Sequence, residues 1–174
     1  MSNLQENSQY HIPVMTSEVL EFLNLKKDGV YIDGTIGAGG HTNEILSNLS
    51  SKAKVIGLDR DNDALEISKK RLIHFKKQIS LHHSSYHHIS RIMKLNNISK
   101  VDGILLDLGL SSMQLNTKNR GFSFQKNDRI DMRFDQSSGE TANELIKRLT
   151  QEQLADIIFE FGEERRSRRI AKSI

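Results

Sequence analysis

Apolar and polar positions in the first 110 residues follow two alternating patterns, short apolar runs and amphipathic stretches. The apolar runs predict strands at 30–33, 55–59, 79–83 and 101–108. Apolar residues three or four positions apart predict helices at 17–25, 42–49 and 63–75. Strands that alternate with helices are typical of a parallel α/β sheet, whose ligand crevice lies at the carboxyl ends of the strands. The continuous apolar centre of the fourth strand predicts burial on both of its faces.

The pattern changes after residue 110. Residues 111–138 show no period and predict a long ordered loop. Two capping boxes then predict two helices, with Thr141 three residues before Glu144 and Thr150 three residues before Gln153. The second of these helices is expected to end near Gly162, and a basic helix is expected over 163–174. Because the chain does not return to the sheet after its fourth strand, we expect it to be the front part of a longer protein.

Composition narrows the class of protein. The 174 residues include 25 Lys and Arg against 22 Asp and Glu, a net charge of +3, which by itself does not establish an anionic partner. No apolar run approaches the roughly 18 residues of a membrane span. The absence of cysteine excludes disulfides and thiolate metal sites and fits a reducing cytoplasm. The start, 1–10, has the composition of neither a signal peptide nor a transit peptide.

A glycine-rich segment follows the first predicted strand, and it reads D-G-T-I-G-A-G-G-H over 33–41. Glycines between a strand and a helix let the backbone turn tightly and approach a ligand closely. We therefore expect a larger side chain at Gly39 to occupy the space of the ligand. The free N–H groups at the start of the helix favour a negatively charged ligand group. Asp59 ends the second strand, 59 − 37 = 22 residues after Gly37, where an acid commonly binds ribose hydroxyls. The alternative is an ordinary strand–helix turn beside a surface Asp.

The glycine segment favours one class of nucleoside cofactor over another. The third glycine of the dinucleotide motif G-x-G-x-x-G is replaced by Thr42. Asp33 would repel a pyrophosphate but suits a cation, such as the sulfonium and ammonium groups of S-adenosylmethionine. The sequence therefore favours a methyl donor, and a nicotinamide-dependent oxidoreductase is the alternative.

Two further residues are candidates for the same crevice. Asp107 closes the fourth strand, although an Asp at that place also suits a helix cap or a turn. Tyr86 follows the third strand, where an aromatic ring can flank an adenine or simply be half-buried. Four nearby histidines do not predict a metal site, because strand neighbours face opposite sides and no acid completes a ligand set. These histidines are His82, His83, His87 and His88.

The predicted last helix carries a basic stripe. Its members are spaced i, i+3, i+4 and i+7, as expected for one face of a helix that contacts phosphates. A solvated basic face is the alternative. The stripe consists of Arg165, Arg168, Arg169 and Lys172.

Seven segments in this order resemble the family of ribosomal RNA small subunit methyltransferase H, the bacterial enzymes that use S-adenosylmethionine to methylate the N4 amine of a cytosine in 16S ribosomal RNA. These segments are H-I-P-V-M at 11–15, Y-I-D-G-T-I-G-A-G-G-H-T at 31–42, G-L-D-R-D at 57–61, D-G-I-L-L-D-L-G-L-S-S-M-Q-L at 102–115, R-G-F-S-F at 120–124, D-M-R at 131–133 and F-G-E-E-R at 161–165.

The resemblance implies the fold and the site. It implies a partial Rossmann-like class I methyltransferase sheet of about four parallel strands in 1–110 and the start of a helical substrate-recognition insert in 111–174. The cofactor-binding residues that it implies are Gly39, Gly40, His41, Asp59, Tyr86, Asp107 and Gln114. We extend the role of Asp107 to catalysis, as an acceptor that holds the target amine.

The resemblance also implies the partners, which are 16S ribosomal RNA or the small ribosomal subunit. Family members continue beyond the length of this chain, so an alternative function is that of a non-catalytic fragment that binds the cofactor or RNA.

Overall fold

The computed structural model describes residues 13–174. The prediction about 1–10 and the first two residues of the 11–15 segment lie outside this range. The strands are β1 (Val30–Asp33), β2 (Lys54–Asp59), β3 (Ile79–His83) and β4 (Gly103–Leu105). The helices are α1 (Thr16–Leu23), α2 (Gly40–Ser47), α3 (Asn62–Arg71), α4 (Ile89–Leu95), α5 (Ser112–Asn116), α6 (Ala142–Arg148), α7 (Gln151–Gly162) and α8 (Ser167–Ser173). Within residues 13–174, no helix combines the length and the apolar character that crossing a membrane requires.

The four strands form one parallel sheet in the order β3-β2-β1-β4. The chain runs from β1 outwards through β2 to β3 and then crosses to the other side of β1 to form β4. The order therefore reverses between β1 and β4, and this reversal is the place where open α/β sheets form a ligand crevice. The predicted Rossmann-like sheet of four parallel strands is confirmed.

Alternating side chains of the central strands enter two apolar clusters on opposite faces of the sheet. Tyr31 and Val55 belong to one cluster, which the side chains of α2 and α3 complete. Ile32 and Ile56 belong to the other, which includes Ile92 of α4. Burial of both faces explains why β1 and β2 read as continuous apolar runs.

The fourth strand is shorter and less buried than predicted. It spans Gly103–Leu105 instead of 101–108, and the prediction that both of its faces are buried is wrong. Ile104 is 46% exposed and Leu108 is 66% exposed. The physical reason is that β4 is an edge strand in the described sheet, with β1 as its partner. An apolar run alone does not reveal whether a strand has neighbours on one side or on two.

Two helices were not predicted and one ends early. The sequence did not indicate α4, which follows a single 3-10 turn at Tyr86–His88, or the short helix α5 inside the segment predicted as a loop. The third helix ends at Arg71 and is followed by a separate 3-10 turn, Ile73–Phe75.

The chain divides into two compact units, Met1–Ser112 and Met113–Ile174. In the second unit both predicted capping boxes are present, at the starts of α6 and α7, and α7 ends at Gly162 as expected. The predicted helix over 163–174 is wrong at its start. Glu163 has φ 51° and closes α7, so that α8 begins only at Ser167.

Candidate functional site

The glycine loop, residues 34–40, joins β1 to α2 and is fixed by backbone hydrogen bonds to both neighbouring strands. The Gly34 N–H, directly after β1, donates to the carbonyl of Leu105 in β4, and the Ile36 N–H donates to the carbonyl of Leu58 in β2, each over 2.9 Å. Gly37 and Gly39 have φ values of 52° and 76°. These left-handed conformations favour glycine, so the loop requires glycine at both positions.

The two left-handed glycines face different surroundings. A Cβ at Gly39 would lie 3.1 Å from Leu72 Cδ1 and 3.2 Å from Ser68 Cβ, which belong to the region around α3. A Cβ at Gly37 would meet nothing closer than a carbonyl oxygen at 3.9 Å. A side chain at Gly39 would therefore meet the protein itself, and the expectation that it would occupy the space of the ligand stays a prediction. Gly37 is the glycine whose α-carbon faces open space.

Three carboxylates lie at the carboxyl ends of three adjacent strands. In the sheet register Asp33 of β1 is level with Gly57 of β2 and Leu105 of β4. Asp59 and Asp107 each lie two residues beyond those partners. This register brings the three acids to one edge of the sheet, and Asp33 is electrostatically coupled to both of the others.

The Asp33 side chain is buried and links the two ends of the glycine loop. One carboxylate oxygen accepts a 3.2 Å hydrogen bond from the Thr35 N–H, and the other accepts a 2.6 Å bond from the Thr42 hydroxyl. Burial raises the pKa of the Asp33 carboxyl to about 6, against the opposing effect of these two hydrogen bonds. The negative charges of Asp59 and Asp107 raise this pKa further.

A hydrogen bond joins Asp59 to Gly37, 22 residues earlier in the chain. Its Oδ2 accepts a 2.8 Å hydrogen bond from the Gly37 N–H, and its Oδ1 accepts a 2.9 Å bond from the Asp61 N–H. Burial raises the pKa of the Asp59 carboxyl. The carboxylate therefore fixes the glycine loop with one oxygen, and each oxygen keeps a lone pair for a ligand hydroxyl.

His41 and Asp107 approach each other across the crevice. The His41 Nε2 lies 3.6 Å from the Asp107 Oδ2, and the Asp107 side chain is 54% exposed. The Asp107 N–H donates a 2.7 Å hydrogen bond to the Thr35 hydroxyl, which ties the end of the fourth predicted strand to the glycine loop. His41 is only 9% exposed, and its Nδ1 has no hydrogen-bond partner among residues 13–174.

Tyr86 lies beside the first residue of the glycine loop, since its Cβ is 3.2 Å from where a Cβ at Gly34 would stand. Its ring stacks on His87 with the centroids 4.8 Å apart. The other three histidines have hydrogen-bonding partners that are not acids: Asn96 for His82, the carbonyl of Arg60 for His83 and Ser84 for His88. Residues 13–174 contain no group of three or more His, Asp or Glu side chains placed to hold a metal ion.

The structure thus brings together most of the predicted cofactor residues, which are Gly39, Gly40, His41, Asp59, Tyr86 and Asp107. Gln114 is buried in α5 and belongs to the second unit, so its role stays a prediction. The sequence had not singled out Thr35 and Thr42 as contributors, although their hydroxyls bond Asp107 and Asp33. The available signal was one hydroxyl residue two positions after Asp33 and another directly after His41.

The predicted basic stripe is altered in the structure. Arg165 precedes α8 and does not share its helical face with the others. Arg168 is already engaged, because its guanidinium lies 2.8 Å from Asp156 and donates to the carbonyl of Glu152 in α7. Arg169 and Lys172 are exposed on α8. The prediction that these four cations share one face of one helix is therefore wrong, because Arg165 lies outside α8. RNA binding by these residues stays a prediction.

Three observations indicate that the residues around the glycine loop fit S-adenosylmethionine. The buried His41 Nδ1 needs a partner that residues 13–174 do not supply. The α-carbon of Gly37 borders open space, so a ligand can approach the backbone there. Three carboxylates give the crevice a negative field, which suits a sulfonium and an ammonium group and opposes a pyrophosphate.

The comparisons with known proteins agree with the resemblance read from the sequence. Ribosomal RNA small subunit methyltransferase H of Sorangium cellulosum is 47% identical over 166 residues, 95% of this chain and 52% of that protein. The enzyme of the same name from Thermosipho africanus is 48% identical over 164 residues, 94% of this chain and 56% of that protein. The chain spans about half the length of these curated relatives. The model of the MraW methylase family matches residues 8–174. The chain therefore belongs to the MraW methylase family.

Proposed function

We propose that this chain binds S-adenosylmethionine at the glycine loop and takes part in methylating the N4 amine of a cytosine in 16S ribosomal RNA. The observation that carries the proposal is the set of three carboxylates, Asp33, Asp59 and Asp107, around an open glycine loop. Membership of the MraW methylase family supports it, as do the relatives that are named as small subunit ribosomal RNA methyltransferases.

Each part of the crevice has a role in holding the cofactor, which when bound would supply a methyl group on a sulfonium. The Asp59 carboxylate accepts hydrogen bonds from the ribose hydroxyls. It uses the lone pairs that are not already bonded to the N–H groups of Gly37 and Asp61. The carboxylates of Asp33 and Asp107 favour the positive groups. The N–H groups at the start of the eight-residue helix α2 favour the carboxylate of the ligand.

The target amine needs orientation, because its lone pair is delocalised into the cytosine ring. An acceptor that bonds the amine hydrogens localises the lone pair and aligns it, which is a gain from positioning. Asp107 suits this role, since its carboxylate is half-exposed while its backbone is held by Thr35. The base has to be unstacked to reach it, which is easiest in a single-stranded or loop region of RNA.

Calorimetry with Asp59→Ala tests the cofactor site. We expect S-adenosylmethionine to bind more weakly by roughly 1.5–3 kcal/mol, the range for a hydrogen bond to a charged group. Asp59→Asn keeps one acceptor oxygen and should lose less. Glu66→Gln, an exposed change in α3, is the matched control and should bind normally. Unchanged affinity in a folded Asp59→Ala protein would refute the placement.

Transfer of a tritiated methyl group tests the reaction. The acceptors are 16S RNA and small subunits from a strain that lacks this modification, and digestion of the product identifies the methylated nucleoside. Label in N4-methylcytidine supports the proposal. Cofactor or RNA binding without transfer supports the non-catalytic alternative. The nicotinamide alternative requires binding of the reduced dinucleotide, which Thr42 opposes because its buried hydroxyl occupies the place of the third glycine.

A further inference from the structure

The second unit contains a loop that is closed at its base by its own backbone. In this 119–132 loop, the Met132 N–H donates a 2.9 Å hydrogen bond to the carbonyl of Arg120. Gly121 has φ 73°, and a Cβ there would stand 2.6 Å from the carbonyl oxygen of Arg129 and 2.7 Å from the Asp131 nitrogen. The two sides of the loop therefore meet so closely that only glycine fits at that point.

Arginine side chains hold the closed base in place. The buried guanidinium of Arg120 donates to the carbonyls of Arg133 and Phe134 over 3.2 and 3.1 Å. Arg133 forms a bidentate pair with Asp131 at 2.9 and 2.8 Å and also donates to the carbonyl of Gly139. Bidentate arginine contacts fix geometry more firmly than single hydrogen bonds do. The base of the 119–132 loop is therefore an ordered support.

The two phenylalanines of the R-G-F-S-F segment lie in opposite surroundings. The Phe122 ring packs against Phe134 with the centroids 5.6 Å apart, and the guanidinium of Arg120 lies 6.0 Å from its centroid. Phe124, two residues later, is 99% exposed. Phe122 stabilises the loop, whereas Phe124 makes no such contribution and presents its whole ring to solvent.

The residues around Phe124 are basic. Lys118 and Arg129 are exposed and form no ion pair with another residue of the described chain, 13–174, and Lys126 donates to the carbonyl of Asn116 without meeting an acid. The acid of this stretch, Asp128, accepts a 2.9 Å hydrogen bond from the Asn119 N–H. Residues 123–129 contain no apolar side chain besides Phe124, and the other exposed apolar side chains of the loop, Ile130 and Met132, are each less than half exposed. A fully exposed ring in a basic stretch of the chain suits a nucleic acid better than a protein surface, which would need a larger apolar patch.

We propose that Phe124 is a stacking platform for an unpaired base of single-stranded RNA, with Lys118, Lys126 and Arg129 near the backbone phosphates. The proposal rests on the proposed function, which requires an unstacked base. A flat ring on an ordered support stacks on any base at small cost in side-chain entropy, because little of the loop has to be ordered on binding.

A single tryptophan tests this directly, because the chain contains none. Phe124→Trp places a fluorophore at the platform, and a short single-stranded oligocytidylate should quench it to saturation. The matched control is Phe22→Trp, at an 85% exposed phenylalanine of α1 in the first unit, which RNA should leave unquenched. Phe124→Ala should weaken binding of the labelled oligonucleotide, measured by anisotropy, roughly 5- to 150-fold, the range for loss of one stacked base.

Several results would overturn the proposal. They are wild-type affinity in Phe124→Ala, an unquenched Phe124→Trp while anisotropy shows RNA bound, or no binding of the oligonucleotide by the unmodified chain. A protein-concentration-dependent emission shift without RNA would mean that the ring contacts a second copy instead. None of these measurements needs S-adenosylmethionine or methyl transfer. Quenching without methylation would therefore support the platform and count against the proposed function alone.

Discussion

The glycine loop of the first unit and the 119–132 loop of the second unit are both ordered, but by different means. Strand ends hold the glycine loop, through backbone bonds to Leu58 and Leu105 and through two buried or half-buried carboxylates. Arginine side chains bonded to carbonyl oxygens hold the 119–132 loop.

The charges of the two regions differ in sign, because the first contains three carboxylates, whereas the 119–132 loop has three cations against two acids, a net charge of +1. The glycine loop region by itself therefore suits a small cationic methyl donor, and the 119–132 loop by itself suits a polyanionic RNA. These are the two reactants of the proposed reaction. A buried carboxylate such as Asp33 affects the stability of the fold, whereas an exposed Lys or Arg side chain affects mainly the binding of an anion.

The largest expected effect is at Gly39. Gly39→Val places a branched side chain at φ 76° and against Leu72 and Ser68. Backbone strain and overpacking together should lower the free energy of unfolding by about 4 kcal/mol, measured by urea denaturation. Gly162→Ala is the control in the second unit, since a Cβ there meets nothing within 4 Å, and it should change stability by less than about 1 kcal/mol.

The opposite result at Gly39 is equally informative. If Gly39→Val had normal stability but had lost S-adenosylmethionine binding, the position would face the ligand after all. Gly39→Ala extends the test to a protein that should still fold, because its single added carbon meets Leu72 at 3.1 Å without branches.

The next effect is the pH dependence of stability that Asp33 causes. Its pKa is about 6 in the folded chain and about 3.9 in an unfolded one. Between these values the folded state keeps a proton that the unfolded state has lost. The free energy of unfolding should therefore fall as pH rises from about 4 to about 6, by up to roughly 3 kcal/mol, and stay low above that.

Denaturation of Asp33→Asn as a function of pH checks this sign. The variant should lose most of the fall in stability, and a remainder is expected because burial also raises the pKa of Asp59. Asp102→Asn is a control of opposite sign. The hydrogen bond from Lys26 lowers the pKa of Asp102, so that acid contributes stability that disappears as pH falls. An Asp33→Asn profile identical to that of the unmodified chain would show that Asp33 is not the titrating group.

The sequence predicted the first unit well because its structure follows from local patterns. β1 and β3 have the predicted bounds, and the site residues follow from where parallel strands end. The exposure of Ile104 was missed, since a strand's apolar run does not specify its neighbours. The packing of Gly39 against α3 was missed as well, because it depends on which helix lies beside the loop.

The second unit was predicted only where local signals exist. The capping boxes at Thr141 and Thr150 were correct, because a cap needs only residues three positions apart. The 119–132 loop has no period, and its order comes from contacts such as Arg120 with Phe134, 14 residues away. Pairings of that kind have no periodic signal in a single sequence.

The smallest expected effect separates two neighbouring arginines of α8. Arg168 is paired with Asp156 at the surface, with both side chains more than half exposed, so Arg168→Gln should lower the free energy of unfolding by only about 0.2–1 kcal/mol. The same pairing offsets its charge, and the salt dependence of RNA binding should then change little.

Arg169→Gln removes an exposed cation without such a partner among residues 13–174. It should reduce the slope of log affinity against log salt by about 0.7 if it contacts one phosphate of single-stranded RNA. Titrations of a labelled oligonucleotide at several salt concentrations measure both slopes, and S-adenosylmethionine affinity should be the same in both variants. Equal slope changes would mean that RNA displaces Asp156 from Arg168, and the cations of the second unit would then act as one set, as the sequence spacing had predicted.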